Sequence, residues 1–311
     1  MQELLTRAHQ LAAEGQYDDI VALVAESQQL SDGAEADEAE ADEPEAVLAE
    51  IGSLIPTTEP AWCAVVGQRV AHLVDQGDLS TATEEAREIH RHVQARGATQ
   101  SGNVQWQTDM IASHDRLGAL ASLGEDPVAG VAHMEAALAI QRRLATADPT
   151  DAGRQWNLAH SHERLANVAM EAGDFATAGR NYRAALSIHQ RFAAADPTDE
   201  SWKLGASLAE QDLTIFEDTF ARSVAFAESA LRTTLRLSTA HPETLVFQRD
   251  LAVSHQDLGD LAMAADDPGR AYQHYHAAVE VAERLAATGT GWEQWNLDLP
   301  GLRRKVHETG A

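Results

Sequence analysis

The sequence predicts an all-α fold in which antiparallel helix hairpins stack into a solenoid. Alanine is abundant and aromatic residues make up only 5% of the chain. This balance is typical of closely packed helices, because strands favour β-branched and aromatic side chains. A short phrase also returns along the chain, as SHDRLG at 113–118, SHERLA at 161–166 and SHQDLG at 254–259. Such self-similarity at a regular spacing indicates a repeat architecture.

The repeat has a period of 45 to 48 residues. Ser113 and Ser161 are 48 residues apart, and the 93 residues from Ser161 to Ser254 divide into one period of 48 and one of 45. The segment AEQDLT at 209–214 therefore belongs to a divergent third unit. Its three-residue deletion falls before Phe220, between the two halves of the unit. We expect a turn there, because turns tolerate deletions better than packed helices do.

Each half of a unit predicts one amphipathic helix. In the fourth unit, His255, Leu258 and Ala262 recur at the spacing of one helical face. Asp-Pro pairs at 126–127 and 267–268 place a capping acid before a proline at the first helical position. The register predicts that four equivalent leucines are buried: Leu117, Leu165, Leu213 and Leu258.

The regions around these units divide the chain further. An acidic stretch, SDGAEADEAEADEPEA, reads as a solvated linker because it holds almost no bulky apolar side chain. The helical spacing of apolar residues continues on both sides of this stretch. It includes Leu4, Ala8, Ile20 and Val24 before the stretch, and Val70, Leu73, Ala86 and Ile89 after it. The predicted organisation is a helical hairpin at 1–30, the acidic linker at 31–46, a divergent hairpin at 47–102, four long repeats at 103–291, and a C-terminal cap at 292–311 in which Trp295 opens a truncated fifth unit.

The fourth unit carries a resemblance to a known family. Its Leu258-Gly259 pair, followed by Ala271, Tyr275 and Ala278, resembles the tetratricopeptide repeat (TPR), in a long-helix variant similar to the kinesin light chain repeats. The resemblance implies a right-handed superhelix whose first helices line a concave groove for a partner protein or peptide. The groove residues that it implies are Asp115, Arg116, Glu163, Arg164, Asn167, Gln211, Asp212, Gln256, Asp257 and Asp260.

Composition argues against several kinds of partner. The formal net charge of −26 repels phosphate backbones and anionic lipids, so we expect neither nucleic acid nor membrane as a partner. Cys63 is the single cysteine, which fits a reducing, cytoplasmic compartment. Alanine richness and the presence of only two lysines point to a GC-rich bacterial source. A glycine-rich phosphate loop and a cysteine pair are absent from the sequence, so no cofactor is expected.

The repeated Ser-His phrase is not predicted to be catalytic. Neighbouring residues on a helix point about 100° apart, so Ser113 and His114 cannot form a nucleophile–base pair. No two histidines stand three or four residues apart on one helix. His114 and His162 lie on successive helices, on the order of 10 Å apart, which is too far to share one zinc ion. No catalytic, cofactor-binding or metal-binding residue is therefore assigned.

The function predicted from these observations is a non-catalytic scaffold that binds a protein or peptide. The later part of the implied groove is acidic, which favours a basic or neutral partner. Two alternatives stay open at this point. One is a regulatory subunit that holds an effector enzyme or toxin inactive, and the other is a small-ligand sensor or enzyme with a pocket between helices.

Overall fold

In a computed structural model of the chain, every regular element of the described residues is an α-helix. The structure describes residues 2–31, 43–55, 60–100, 102–124, 126–288 and 298–310. The predicted acidic linker lies largely outside them, as does Trp295. Two compact units are present, Met1–Arg154 and Gln155–Ala311. Within each unit, helices that follow one another in sequence pack together, which confirms the all-α, solenoid-type fold class.

The described residues of the first unit form seven helices. They are α1 (Gln2–Ala13), α2 (Tyr17–Ser31), α3 (Glu43–Leu54), α4 (Pro60–Asp75), α5 (Leu79–Gln100), α6 (Val104–Leu123) and α7 (Pro127–Ala147). Their shared core holds fully buried aliphatic side chains, including Ile20, Val24, Leu73 and Ile89, at the helical spacing that the sequence predicted. Gly77 has φ 81° and ends α4 in the left-handed region, which glycine reaches without strain.

In the part of the second unit that the structure describes, there are six helices. They are α8 (Ala152–Glu171), α9 (Phe175–Ala195), α10 (Glu200–Ala240), α11 (Leu245–Ala264), α12 (Pro268–Ala287) and α13 (Leu299–Thr309). Helices α8 and α9 form one hairpin, with Asp174 capping α9 by accepting a bond from the Thr177 amide. Helices α11 and α12 form another, and α13 buries Leu299 and Leu302 against it.

The prediction of a turn inside the third repeat unit of the sequence is wrong. Helix α10 runs unbroken for 41 residues, through the point before Phe220 where the turn was expected. The turns at 173–174 and 267–268 contain Gly-Asp and Asp-Pro, whereas TIFEDTFARSVAF at 214–226 has neither glycine nor proline. The deletion therefore removed the turn instead of shortening it, and the two halves joined because every residue between them tolerates a helix.

The predicted burial of the four equivalent leucines holds for three of them. Leu117, Leu165 and Leu258 are buried. Leu213, on α10, is only half-buried, so the prediction for it is wrong. The third repeat unit has no second helix folded back against Leu213, because the turn that would reverse the chain is missing.

Candidate functional site

The implied groove residues of the first unit lie on α6 and are half-buried. The guanidinium of Arg116 packs against Gly67 of α4, where a β-carbon would overlap it. Burial lowers the pKa of Arg116, and the nearby Cys63 and Asp115 act in the opposite direction. Arg116 therefore joins two helices of the first unit, and Asp115 stands beside it at the same level of α6.

The implied residues on α8 make contacts within the second unit. Glu163 is half-buried and accepts hydrogen bonds from His160 Nδ1 at 2.6 Å and from His189 Nε2 at 3.0 Å. Burial alone would raise the pKa of Glu163, but the bonds from the two histidines lower it below its ordinary value. Arg164 and Asn167 are exposed, and the Asn167 side-chain oxygen accepts a bond from the Tyr182 hydroxyl at 2.6 Å.

Asp212 on α10 is half-buried, whereas Gln211 beside it is exposed. Burial raises the pKa of Asp212, and the negative charge of Glu163 adds to this effect. Glu163 and Asp212 thus place two carboxylates from neighbouring helices in one electrostatic environment. A cation between them would be stabilised by both charges.

The implied residues on α11 differ in how their charge is compensated. Asp260 accepts a hydrogen bond from the Tyr275 hydroxyl at 2.6 Å and an ion-pair contact from Lys305 Nζ at 2.5 Å. Gln256 is half-buried. Desolvation raises the pKa of Asp257, and so does the charge of Asp260, while Lys305 only partly opposes them. An added cation close to Asp257 would therefore stabilise its ionised form.

A cavity of about 530 Å³ in the second unit brings acidic and apolar groups together. It lies between the α8–α9 turn, the middle of α10 at Ser223, and the end of α11. Its polar wall includes Asp174, Asp257 and Asp260, and its apolar wall includes Phe175, Leu261 and Met263. The α8–α9 turn and the end of α11 are the segments that would adjoin a turn in the third repeat unit if α10 were divided into two helices. Two of the implied groove residues thus line one cavity.

Sequence reasoning missed a cluster of histidines in the first unit. His90 of α5, His114 of α6 and His133 of α7 converge, with ring centroids 4.6 Å apart for His90 and His114. The Nδ1 atoms of His114 and His133 are 3.1 Å apart. His90 Nδ1 lies 3.0 Å from the hydroxyl of Ser113. The repeated phrase therefore supplies helix-to-helix contacts in this unit.

The same contact recurs in the other hairpins. His255 and His274 bring their Nδ1 atoms to 3.2 Å, and His162 Nδ1 lies 2.7 Å from Asn181 Oδ1. In all three hairpins the partners are 19 residues apart. A search for histidines three or four residues apart covers only one helix and overlooks this pattern. The 19-residue spacing, repeated in three hairpins, is the signal that would have revealed this pattern.

Burial is the main cause of a lowered pKa at four of these histidines, His114, His133, His255 and His274. Burial, followed by the charges of His90 and His133, lowers the pKa of His114 to about 4. Burial and Arg87 lower the pKa of His133. In the second unit, burial and His274 lower the pKa of His255. Arg270 adds to the effect of burial on His274, and Glu228 opposes it. The neutral imidazoles are thus the forms that fit the folded chain.

We expect the protein to lose stability in mild acid. An unfolded histidine titrates near pH 6.5, so between about pH 6.5 and about pH 4 the unfolded chain binds more protons than the folded one. Stability then falls as the pH falls through this window. His133→Asn reproduces the His–Asn pair of the second unit and should reduce the fall in melting temperature between about pH 7 and about pH 5. The exposed His276→Asn serves as the control, and equal pH profiles for the two variants would contradict the assignment.

The local geometry around Ser113 differs from that of a nucleophile. Its hydroxyl donates to the Met110 carbonyl at 2.9 Å and meets His90 of another helix, and the side chain is buried. Among the described residues, no three His, Cys, Asp or Glu side chains are grouped so that they could hold a metal ion. The same residues include no helix that is both long and apolar enough to cross a bilayer.

Comparisons with known proteins give likenesses to solved structures only. No family model matches the chain. No curated protein matches it either. The crystal structure of BtubC (BKLC) from P. vanneervenii is 18% identical, with 92% of each chain covered and a TM-score of 0.36. A tetratricopeptide repeat protein from Parabacteroides merdae ATCC 43184 is 12% identical, with 100% of this chain and 98% of that chain covered and a TM-score of 0.28. These scores are low, so the description of the fold rests on the helices of this chain itself.

Proposed function

We propose that the chain is a non-catalytic, TPR-like interaction scaffold whose second unit binds a basic segment of a partner protein or peptide. The observation that carries this proposal is the cavity that combines Asp174, Asp257 and Asp260 with an apolar wall. Most surface carboxylates stand in water, where a partner gains little from them. In a concave site, one side chain can meet several carboxylates and apolar groups at once.

Lysine and arginine fit such a site better than other side chains do. Their aliphatic stems can cover apolar surface such as Phe175 and Leu261, while the charged head reaches a carboxylate. Asp257 is the preferred contact, because Lys305 already compensates Asp260. The net charge of −26 also attracts a basic segment before contact and raises its rate of association.

The remaining implied residues of the second unit would extend the same surface. Glu163 and Asp212 offer further carboxylates, and the exposed Arg164, Asn167 and Gln211 offer hydrogen-bond donors and acceptors for a peptide backbone. In the first unit, Arg116 is held against α4, so we assign it to packing and not to the partner.

A charge reversal at Asp257 tests the proposal. Asp257→Lys should weaken binding of a fluorescent arginine- and lysine-rich peptide by about tenfold or more at low salt, mainly by slowing association. The difference should shrink as salt screens the charge. Asp260→Lys is a poorer test, because it also breaks the contacts to Tyr275 and Lys305.

A matched control separates the cavity from the overall charge. Glu135→Lys changes the net charge by the same amount at an exposed position on α7, outside the cavity. It should leave binding close to that of the unmodified protein. Equal losses in the two variants would mean that the peptide responds to net charge alone, and the proposal would fail. Tight binding of spermidine, with no binding of peptides, would favour the small-ligand alternative instead.

A further inference from the structure

Two helix hairpins, one in each compact unit, hold a pair of histidines in the same geometry. His114 of α6 and His133 of α7 place their Nδ1 atoms 3.1 Å apart, with their rings inclined by 44°. His255 of α11 and His274 of α12 place theirs 3.2 Å apart, with the rings inclined by 42°. We call these two contacts the histidine pairs. Their agreement in two separate hairpins indicates an arrangement that the repeat itself builds.

The separation of the two Nδ1 atoms is that of two ligands on one metal ion. An imidazole nitrogen lies about 2.0–2.1 Å from a zinc ion that it binds. Two such nitrogens are about 2.9 Å apart when they subtend about 90° at the ion, and about 3.3 Å apart when they subtend about 109°. The 3.1 and 3.2 Å separations fall between these limits. A metal ion can therefore take the place of the hydrogen atom that otherwise joins the two neutral rings.

The four rings are suited to act as ligands near neutral pH. Metal ions bind the neutral imidazole, and burial keeps the pKa of all four histidines below its ordinary value. In the described part of the chain, their Nε2 atoms make no hydrogen bond to the protein. Each Nε2 can then carry the ring hydrogen while Nδ1 faces the ion. The side chains are half-buried, so water can reach the ion and complete its coordination.

The α8–α9 hairpin lacks the second imidazole. His162 lies 2.7 Å from the side-chain oxygen of Asn181, and the two residues are only 5% and 6% exposed. An amide oxygen is a poor ligand for the ions that imidazole prefers, and burial at this position keeps water away. The repeat thus contains one hairpin in which the equivalent position should not bind a metal ion.

His90 lies beside the first histidine pair and holds its ring in place. It packs edge-on against His114 with ring centroids 4.6 Å apart, while its Nδ1 contacts the Ser113 hydroxyl. Each pair therefore supplies two protein ligands, which agrees with the absence of a group of three among the described residues. Because the Nε2 atoms lack protein partners, the affinity should be about 10–100-fold below that of sites whose histidines have them.

We propose that each histidine pair binds one late first-row divalent ion, of the group Ni²⁺, Cu²⁺ and Zn²⁺, between its two Nδ1 atoms. Imidazole is a preferred ligand of these ions, whereas Mg²⁺ and Ca²⁺ prefer oxygen ligands. A bound ion would join α6 to α7 in the first unit and α11 to α12 in the second. None of the four histidines is among the residues that line the acidic cavity, so these sites are separate from the proposed partner site.

Isothermal titration of the chelator-treated full chain with zinc chloride tests the stoichiometry. An excess of magnesium chloride is kept present, so that the many surface carboxylates are occupied by an ion that prefers oxygen ligands. The unmodified protein should bind two zinc ions per chain. His133→Asn and His274→Asn each reproduce the His–Asn contact of the α8–α9 hairpin, and each should lower the number to one. Absence of zinc binding, or a number that neither substitution lowers, would overturn the proposal.

A matched control separates the pairs from single surface histidines. His307→Asn removes an exposed histidine of α13 that belongs to neither pair. It should leave the number of bound zinc ions and their affinity unchanged. A loss equal to that caused by His133→Asn would mean that single exposed imidazoles bind the metal, and the histidine pairs would not be the sites.

Thermal unfolding tests whether one ion joins two helices. An ion that binds the folded chain in preference to the unfolded one raises the melting temperature. Micromolar zinc should therefore raise it for the unmodified protein, less so for each single variant, and not at all for His133→Asn combined with His274→Asn. Circular dichroism without metal confirms that the double variant keeps its helix content. An equal rise in the double variant would place the zinc elsewhere and would overturn the proposal.

Discussion

Replacement of Trp202 by alanine should lower the free energy of unfolding of the second unit by about 3–5 kcal/mol. The side chain is only 5% exposed. Its ring lies 4.6 Å from that of Phe192, in a stacked arrangement, and 4.9 Å from that of Trp156, in an edge-on one. His189 completes the cluster at 5.5 Å. Truncation would remove the contacts that join α8, α9 and the start of α10, and would leave a cavity among aromatic rings that cannot collapse to fill it.

Denaturant unfolding followed by circular dichroism measures the loss. Lys203→Ala, the next residue, is the control, because Lys203 is exposed and forms a surface ion pair with Glu200. Such pairs contribute about 0–1 kcal/mol, so its effect should be small. A loss of less than about 1 kcal/mol for Trp202→Ala would mean that α10 is not anchored through this cluster.

The repeat could be recognised from the sequence because each helix carries its own signals. Leu117, Leu165 and Leu258 occupy a helical face, and acids such as Asp126 and Asp267 precede proline at helix starts. Packing period and capping are local properties, and the structure agrees with them. The continuation of helix α10 through Phe220 depended instead on the absence of a turn-forming residue. The absence of glycine and proline around it was visible, but a three-residue deletion is compatible with either a shorter turn or no turn. Helix propagation favours the second outcome once no residue opposes it.

The candidate site was only partly predictable, for a different reason. The acidic character of Asp257 and Asp260 follows from the sequence. The contacts of Asp260 with Tyr275 and Lys305 join three helices and need the fold itself. The histidine pairs likewise join two helices of a hairpin, and no pattern within one helix contains them. Residues that act across helices are therefore those for which sequence reasoning was weakest.

A comparison of Leu165→Ala with Leu213→Ala tests the consequence of the fused helix. The two leucines hold the same place in the second and third units of the repeat, so the sequence alone predicts equal losses. Leu165 is 2% exposed and lies in the α8–α9 hairpin, and its truncation should cost about 2–5 kcal/mol.

Leu213 is half-buried, because its own repeat unit has no second helix to pack against it. Its truncation removes fewer contacts, and water can enter the space that is left, so the loss should be less than about half of that for Leu165. Denaturant unfolding of both variants at equal chain concentration gives the comparison. Equal losses would show that Leu213 is enclosed as fully as Leu165. That result would contradict the description of the third repeat unit as one continuous helix.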